Sequence, residues 1–148
     1  AFASHFAPRY LLQAIALYRQ LYQPSAAHPR PYVIVGVPVV AAPTDEEANY
    51  LASSAQQRVL GILTGRRGKL PPPVEDFMQQ LDPGAQAAIE DFLGVAAIGG
   101  PETLQRHFAR LAELTQADEY MMVTDIFDPE LRLRSLEVTA QALQWQRM

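Results

Sequence analysis

Ser4 and His5 place a hydroxyl beside an imidazole, the two groups from which an activated nucleophile and its base are built. The residues around them, 1–6, are predicted to form the tail of a short strand. Adjacent side chains of a strand point to opposite faces, so these two cannot form a hydrogen-bonded dyad. The sequence also has no Gly-x-Ser-x-Gly elbow, which argues against acyl hydrolysis. Either side chain alone remains a candidate to face a ligand at the end of the strand.

Two other segments could bind an anion. The run 99–101, Gly-Gly-Pro, precedes a predicted helix, where free backbone N–H groups can cradle a phosphate. Glycine and proline are also ordinary turn residues there, and without a Gly-x-Gly-x-x-Gly pattern or a P-loop lysine the turn interpretation is favoured. Arg66 and Arg67, with Lys69, could attract an anionic substrate or a phosphate; the alternative is a basic loop that faces water.

Carboxylates and histidines supply fewer candidates. Asp125 and Asp128 follow the last predicted strand, where a β/α barrel places functional groups. Asp128 precedes Pro129, which favours a helix cap, so Asp125 is the freer of the two. The three histidines lie far apart in the sequence without an acidic partner at ligand spacing, and the chain has no cysteine. The sequence therefore predicts no metal site and no disulfide.

One central stretch must position these candidates. Residues 32–40 form a nearly unbroken apolar run, which is typical of a strand covered on both faces. Within it, Pro38 cannot donate to a ladder and predicts a bulge or an end of pairing. Thr44 follows, with Glu47 three residues later, which is the pattern of a capping box. A buried strand that leads into a capped helix is one repeat of a β/α fold, and a site is expected beyond the strand's carboxyl end, near 40–43.

The rest of the chain alternates between strand and helix. Apolar side chains at helical spacing predict one helix after the central strand and one at the end of the chain, with the stripes Ala48, Leu51, Ala52, Ala55, Val59, Ile62, Leu63 and Leu133, Leu136, Ala140, Leu143 respectively. Residues 65–93 interrupt the alternation, as either a lid or a plain surface insertion. Three strands between helices imply parallel pairing through right-handed crossovers. Such a sheet has two raw edges, so more of this chain or another copy is expected to complete it.

Composition narrows the class of protein. With 148 residues and 49% apolar content, the chain can form one domain with a sizeable core. The net charge of −4 argues against nucleic acid as a partner. No apolar run is long enough to span a bilayer, and nothing resembles a signal peptide, so a soluble, cytoplasmic protein without membrane contact is expected. The chain begins at Ala1 without a methionine, from which we expect an incomplete or trimmed protein.

Several motifs, in their order along the chain, resemble those of one family. They are Phe2-Ala3-Ser4-His5-Phe6-Ala7-Pro8, Pro31-Tyr32-Val33-Ile34-Val35-Gly36-Val37, Val40-Ala41-Ala42-Pro43-Thr44-Asp45-Glu46-Glu47-Ala48, Gly100-Pro101-Glu102-Thr103, Ala117-Asp118-Glu119, Met122-Val123-Thr124 and Arg132-Leu133-Arg134-Ser135-Leu136-Glu137. Together they span essentially the whole chain. They resemble the carboxyl-terminal half of a bacterial luciferase-like, flavin-dependent monooxygenase.

The resemblance implies an α/β fold, a partial (β/α)8 TIM barrel of about three parallel strands, strands six to eight, with residues 1–148 as part of a single domain. Ala3, Ser4 and His5 would lie beside the flavin, as the cofactor-binding residues. Residues 65–93 would be a mobile loop over the active site, with Arg66, Arg67 and Asp125 as candidates for contact with the substrate. The family's catalytic and phosphate-binding residues lie mostly on earlier strands, which this chain does not contain.

The activity that the resemblance implies is oxygenation of an unidentified organic substrate by O₂ and reduced FMN, which a partner reductase supplies. A close variant is a deazaflavin-dependent oxidoreductase of the same superfamily. The chain alone would be inactive, and either a homo-oligomer or the missing amino-terminal half would complete it. A different class of function is also open, namely a non-catalytic half-barrel that pairs with a copy or a partner.

Overall fold

A parallel sheet of three strands forms the centre of the molecule. The computed structural model describes residues 1–4 and 8–144. The strands are β1 (Ile34–Ala41), β2 (Ala97–Gly99) and β3 (Glu119–Val123), in the order β2-β1-β3. The helices are α1 (Leu11–Leu21), α2 (Asp45–Leu63), α3 (Pro83–Phe92), α4 (Pro101–Thr115) and α5 (Pro129–Gln144), with single 3₁₀ turns at Pro8–Tyr10 and Met78–Gln80. The predicted three-stranded parallel β/α arrangement is confirmed.

Strand β1 changes its partner at Pro38. Its first part pairs with β3, ending with Pro38 opposite Val123, and its last part pairs with β2, beginning with Val39 opposite Ala97. Proline has no backbone N–H to donate, so it sits at the point where one ladder stops. The predicted end of pairing at this residue is therefore confirmed.

The first segment forms less strand than the sequence predicts. Phe2 makes an isolated parallel bridge with Val35, in which Phe2 N donates to Ile34 O at 2.7 Å and Gly36 N donates to Phe2 O at 2.8 Å. Ser4 already lies in a turn, and a helical turn begins at Pro8. This early turn leaves room for a bridge but not for a strand, and the third strand of the sheet is instead the short β2.

Helices cover the two faces of the sheet unequally. On one face, β1 packs against α1, α4 and α5 in the larger cluster of buried apolar residues. On the other, Val40 packs at the carboxyl end of β1 with Ala48 and Ala52 of α2, which are fully buried. Small side chains let α2 approach the strand ends closely, as its predicted apolar stripe requires. The predicted residues of that stripe are buried from Ala48 to Val59, whereas Leu63 at its end is 47% exposed.

The start of α2 is capped by Thr44, though not by the full predicted box. Thr44 Oγ1 accepts a hydrogen bond from Glu47 N at 3.2 Å. The Glu47 carboxylate does not return to the cap, because it accepts instead from Arg134 Nη1 of α5 at 3.2 Å. A tertiary ion pair thus replaces half of the local motif.

The predicted apolar stripe of α5 is wrong at Leu133, Leu136 and Ala140, and it holds at Leu143, which packs against the larger core cluster. Leu133 and Leu136 are 60% and 40% exposed, and the buried positions are Ser135, Thr139 and Ala142. Ser135 Oγ accepts from Ala41 N at 2.8 Å, at the end of β1. A buried N–H without an acceptor is costly, so this requirement turns the serine side of the helix toward the sheet.

Both edges of the sheet are open in the part of the chain that the structure describes. Strands β2 and β3 each pair only with β1, and Met121 of β3 is 57% exposed. The two raw edges expected from the sequence are therefore present. Each helix within 1–4 and 8–144 is too short or too polar to cross a membrane.

Candidate functional site

The three parallel strands end at Ala41, Gly99 and Val123, with Gly99 opposite Ala41 and Val123 opposite Pro38. In β/α barrels this carboxyl-terminal edge carries the functional groups, because the loops that follow the strands converge there. Two different polar arrangements occupy the edge. One is a closed clamp between helices, and the other is a cavity with a charged pair in its wall.

The clamp is formed by Asp45 in the first turn of α2. Its carboxylate accepts from Gly100 N at 2.6 Å and from Thr103 Oγ1 at 2.9 Å. The hydrogen bond from Gly100, and then that from Thr103, holds the pKa of Asp45 below its usual value. Gly99 adopts a φ of +154°, and a Cβ there would lie 2.7 Å from Asp45 Oδ1 and 2.6 Å from Thr103 Cγ2. Only glycine fits, and the clamp joins the beginnings of α2 and α4.

This clamp decides what the run 99–101 can bind. The Gly100 N–H, which the sequence offered as part of a phosphate cradle, already donates to the Asp45 carboxylate. A phosphate placed there would have to displace that carboxylate and would be repelled by its charge. The glycine-proline run therefore acts as a turn that positions α4.

The cavity lies between the strand ends and α2. It has a volume of about 220 Å³, and its walls include Pro38, Val40, Ile98 and Val123. Arg58 of α2 and Asp125, which follows β3, form an ion pair in the wall, and each side chain is 37% exposed. The two are the charged residues among those that line it.

The sequence predicted that Asp125 is free of a structural partner, but Asp125 forms an ion pair with Arg58. The sequence did not single out Arg58 as this partner. Arg58 lies between Ala55 and Val59, which both belong to the apolar stripe of α2. An arginine at the margin of such a stripe is usually read as a solvated residue whose stem covers apolar surface. Its position beside the buried face was the available signal, but only the tertiary fold brings the end of β3 to it.

Arg66 and Arg67 do not line the cavity that contains Asp125, but they lie close to Arg58. With Lys69 they line a second cavity of about 380 Å³, and Arg58 contributes to its wall as well. Helix α2 ends here because Gly65 adopts a φ of +73° and Arg66 N donates to Gly61 O at 2.7 Å. The end of the helix thus places three cations of the loop beside a fourth from the helix.

The segment 65–93 runs along α2. Val74 N donates to Ser53 Oγ at 2.8 Å, and Gln57 Nε2 donates to Pro72 O at 2.9 Å. A further cavity of about 410 Å³ lies between residues 74–79 and the first half of α2. The predicted insertion is therefore attached to the helix that covers the strand ends.

The residues expected beside a flavin lie along the first half of β1, next to Val35 and Gly36. Ala3 is exposed, whereas Ser4 is 3% exposed and its hydroxyl donates to Gly36 O. This bond uses the hydroxyl hydrogen, so Ser4 offers a ligand only its acceptor lone pairs. His5 lies outside the described residues.

The remaining sequence candidates have structural roles in the fold. Asp128 Oδ1 accepts from Glu130 N at 2.8 Å and from Leu131 N at 3.0 Å, which confirms the predicted helix cap. His107 is partly buried, with its Nε2 3.2 Å from Val95 O, and burial lowers its pKa. Within residues 1–4 and 8–144, no three His, Asp or Glu side chains are grouped as a metal site would require.

Comparison with known proteins supplies the family. The chain matches no protein-family model. It is 39% identical over 140 residues to the uncharacterized protein YvbT of Bacillus subtilis, covering 95% of this chain and 42% of that protein. It is 36% identical over 138 residues to a luciferase-like monooxygenase of Escherichia coli K12, covering 93% of this chain and 41% of the relative. The chain therefore spans about two fifths of the length of these relatives.

A solved structure agrees at the level of the fold. The crystal structure of apo-MsnO8 superimposes with a TM-score of 0.76 at 23% identity, over 96% of this chain and 43% of that one. The parallel β/α units, the motifs along the chain and the relatives all lead to one conclusion. The chain belongs to the luciferase-like monooxygenase family and has the fold of a partial (β/α)8 barrel.

Proposed function

We propose that this chain acts as part of a flavin-dependent monooxygenase that uses reduced FMN and O₂ to oxygenate an organic substrate. Family membership supports an oxidoreductase, and the single observation that carries the proposal further is the cavity at the carboxyl-terminal edge of the sheet. That cavity is mostly apolar with one ion pair in its wall, which is the usual character of a site for a small organic molecule.

The residues of this chain fit one part of FMN and not another. Ser4 presents acceptor lone pairs on the β1 side, which suits an N–H at the edge of an isoalloxazine ring, and Ala3 presents no polar group that would oppose the ring. The phosphate finds no counterpart at the run 99–101, because the Asp45 carboxylate occupies the Gly100 N–H. On this proposal the chain lines the edge of the ring, and residues outside it hold the phosphate.

Bound reduced FMN would supply the electrons that activate O₂. The task of this chain is to shape the site and to keep water out of it. Helix α2 covers the strand ends, and the segment 65–93 lies on that helix through the bonds at Ser53 and Gln57. We propose that this segment acts as the lid, with Arg66 and Arg67 at its hinge beside Arg58.

The open edges of β2 and β3 support completion of the site by further β/α units, either from a longer polypeptide or from a second copy. A reductase is the proposed source of reduced FMN. Because the chain spans about two fifths of its relatives, activity is proposed for the completed barrel and not for the chain alone.

A chimera tests this proposal directly. The segment of the Escherichia coli relative that matches this chain is replaced by the 148-residue chain, and binding of reduced FMN is titrated under argon by absorbance and fluorescence. We expect saturable binding of one FMN per barrel and, when O₂ is then admitted, faster consumption of O₂ than by free reduced FMN. The 148-residue chain alone should bind FMN at least tenfold more weakly than the chimera.

A buried hydroxyl elsewhere provides the control. Ser4→Ala should weaken FMN binding severalfold, because one acceptor is lost, whereas Thr139→Val, at a fully buried threonine whose hydroxyl is bonded within α5, should not. Preference for a deazaflavin over FMN would replace the monooxygenase proposal by the oxidoreductase variant. A folded chimera that binds neither flavin at millimolar concentration would leave the assembly module as the function of this chain.

A further inference from the structure

Three buried polar atoms in the described part of the chain have no hydrogen-bond partner, and they lie in two segments that touch. They are Ser54 Oγ, Arg58 Nε and Thr124 Oγ1. Ser54 precedes Arg58 by one helical turn and therefore shares its side of α2, while Thr124 directly precedes Asp125, the partner of Arg58. Buried polar atoms in native proteins almost always find a partner. The two segments that carry these atoms meet at the pair of Arg58 with Asp125, and of the three residues Arg58 is the one that can reach a ligand in the adjoining cavity.

Arg58 is the member of this group that lines the cavity. A guanidinium carries five N–H donors, and one of its bonds, from Nη2, goes to Asp125. The fork is therefore held in place by the carboxylate while Nε stays without an acceptor. Nε is itself enclosed by protein, so the donors that a ligand can reach are the remaining N–H groups of the two terminal Nη nitrogens, and a planar acceptor with two oxygens matches that pair.

The charge around Arg58 favours an anion. The chain as a whole carries a net charge of −4. In contrast, the charged residues that line the two cavities at Arg58 are four cations, Arg58, Arg66, Arg67 and Lys69, and a single carboxylate, Asp125. Positive charge concentrated in a cleft of an acidic protein attracts an anionic ligand to that cleft.

We propose that the cavity at Arg58 binds a small organic anion, whose apolar body contacts Val40, Ile98 and Val123 and whose carboxylate binds the Arg58 guanidinium. This inference rests on the proposed function and specifies its substrate class. A volume of about 220 Å³ lies below the range of roughly 300–1,000 Å³ that is usual for ligand pockets, so the molecule is a short one. Arg66 and Arg67 act as an electrostatic guide and Arg58 as the recognition residue.

Octanoate is the probe, with octan-1-ol as its uncharged match. Binding to the full 148-residue chain is measured by isothermal titration calorimetry and by ¹H–¹⁵N chemical-shift perturbation, without flavin. We expect octanoate to bind at least tenfold more tightly than octan-1-ol and to shift the amide signals of Arg58, Ser54 and Thr124. Raising the salt concentration should weaken the octanoate complex and leave the alcohol unaffected.

Paired variants separate recognition from folding. Arg58→Gln should weaken octanoate binding about tenfold, the loss expected when a charge-assisted hydrogen bond is removed. Arg134→Gln is the matched control, because Arg134 is also half-exposed and also forms one ion pair, with Glu47. Asp125→Asn should tighten octanoate binding, since it frees the fork from a competing carboxylate, and a merely unfolded variant cannot produce that result.

Equal affinity for octanoate and octan-1-ol, or equal losses in Arg58→Gln and Arg134→Gln, would overturn the inference. The same holds if Asp125→Asn weakens binding as much as Arg58→Gln does, because the pair would then be a structural unit. Octanoate binding is measured without flavin, so its failure is distinct from failure of the FMN chimera. A chimera that binds FMN while the chain ignores octanoate would retain the proposed function and remove only this substrate class.

Discussion

Two aspartates flank strand β3, each beside an arginine, and they contrast sharply. Asp118 precedes the strand, accepts from Arg30 Nη1 at 2.7 Å and from Val33 N at 2.8 Å, and is 20% exposed. Asp125 follows the strand, pairs with Arg58 alone and is 37% exposed. Both carboxylate oxygens of Asp118 are used by the fold, whereas Asp125 leaves its partner with an unsatisfied buried nitrogen.

The difference separates the two edges of the sheet. At the amino-terminal edge, polar groups close on one another, as Asp118 N donates to Val33 O at 2.9 Å and Arg19 caps the carbonyls of Thr115 and Gln116 at the end of α4. Near the carboxyl-terminal edge, the buried atoms Ser54 Oγ, Arg58 Nε and Thr124 Oγ1 have no hydrogen-bond partner. In β/α barrels the first edge serves stability and the second serves function. The two edges of this chain show the corresponding contrast in hydrogen bonding, and we propose that the same division applies to this part of a barrel.

Removal of Asp118 should have the largest effect on stability. Asp118→Ala leaves the part-buried N–H of Val33 without its acceptor and breaks the bond to Arg30, for an expected loss of about 1–3 kcal/mol in the free energy of unfolding. Urea denaturation followed by circular dichroism measures it. Asp91→Ala, which breaks an exposed ion pair with Arg9, is the control and should cost at most about 0.5 kcal/mol. Equal losses of stability in Asp118→Ala and Asp91→Ala would mean that the Asp118 bonds stabilise the fold no more than an exposed ion pair does.

Removal of Asp125 should lower the free energy of unfolding less than removal of Asp118 does. Asp125→Ala breaks a half-exposed pair whose worth in water is at most about 1 kcal/mol. The same urea titration, on the same protein sample as Asp118→Ala, makes the comparison direct. If Asp125→Ala destabilised the fold as much as Asp118→Ala, the proposed division between a structural edge and a functional edge would be wrong.

The smallest and most gradual expected effect is the loss of folding stability as the pH falls. The bonds from Arg30 and then from Val33 N lower the pKa of Asp118, and Gly100 and then Thr103 lower that of Asp45. A lowered folded-state pKa means that the unfolded chain binds protons first, so these groups stabilise the fold above the ordinary aspartate pKa of about 3.9. That contribution is lost as the pH falls through the lower folded-state values.

Urea unfolding between pH 6 and pH 2.5 measures this loss. Asp118→Asn cannot ionise at this position, so its stability should fall less steeply below about pH 4 than that of the unaltered chain. Parallel curves for the two proteins would contradict the assignment of this acid sensitivity to Asp118.

Local patterns predicted much of the fold. The apolar run formed β1, the change of pairing falls at Pro38, and Thr44 and Asp128 cap helices where their spacing indicated. These features depend on neighbours within a few residues. The prediction that Leu133 and Leu136 of α5 are buried was wrong, because Ala41 N, which is distant in sequence, needs a hydrogen-bond acceptor. Ser135 supplies that acceptor and is buried in place of the leucines.

The candidate site was predicted less completely. A cavity does lie near the carboxyl end of β1, where a site was predicted, and Asp125 lines it. Arg58 was missed, and the Gly100 N–H was offered for a phosphate although Asp45 holds it. Arg58 and Asp125 are 67 residues apart, and Asp45 and Gly100 are 55 apart. No spacing rule connects positions so distant.

By itself the sequence determined the parallel β/α class, the family and the helix caps, because each depends on local periodicity or on motifs that are contiguous in the chain. The tertiary structure alone decided which charges meet. The pairs at Asp45, Asp118 and Asp125 each join segments that come together only when the strands lie side by side, and a carboxylate takes the role that its partner in space assigns to it.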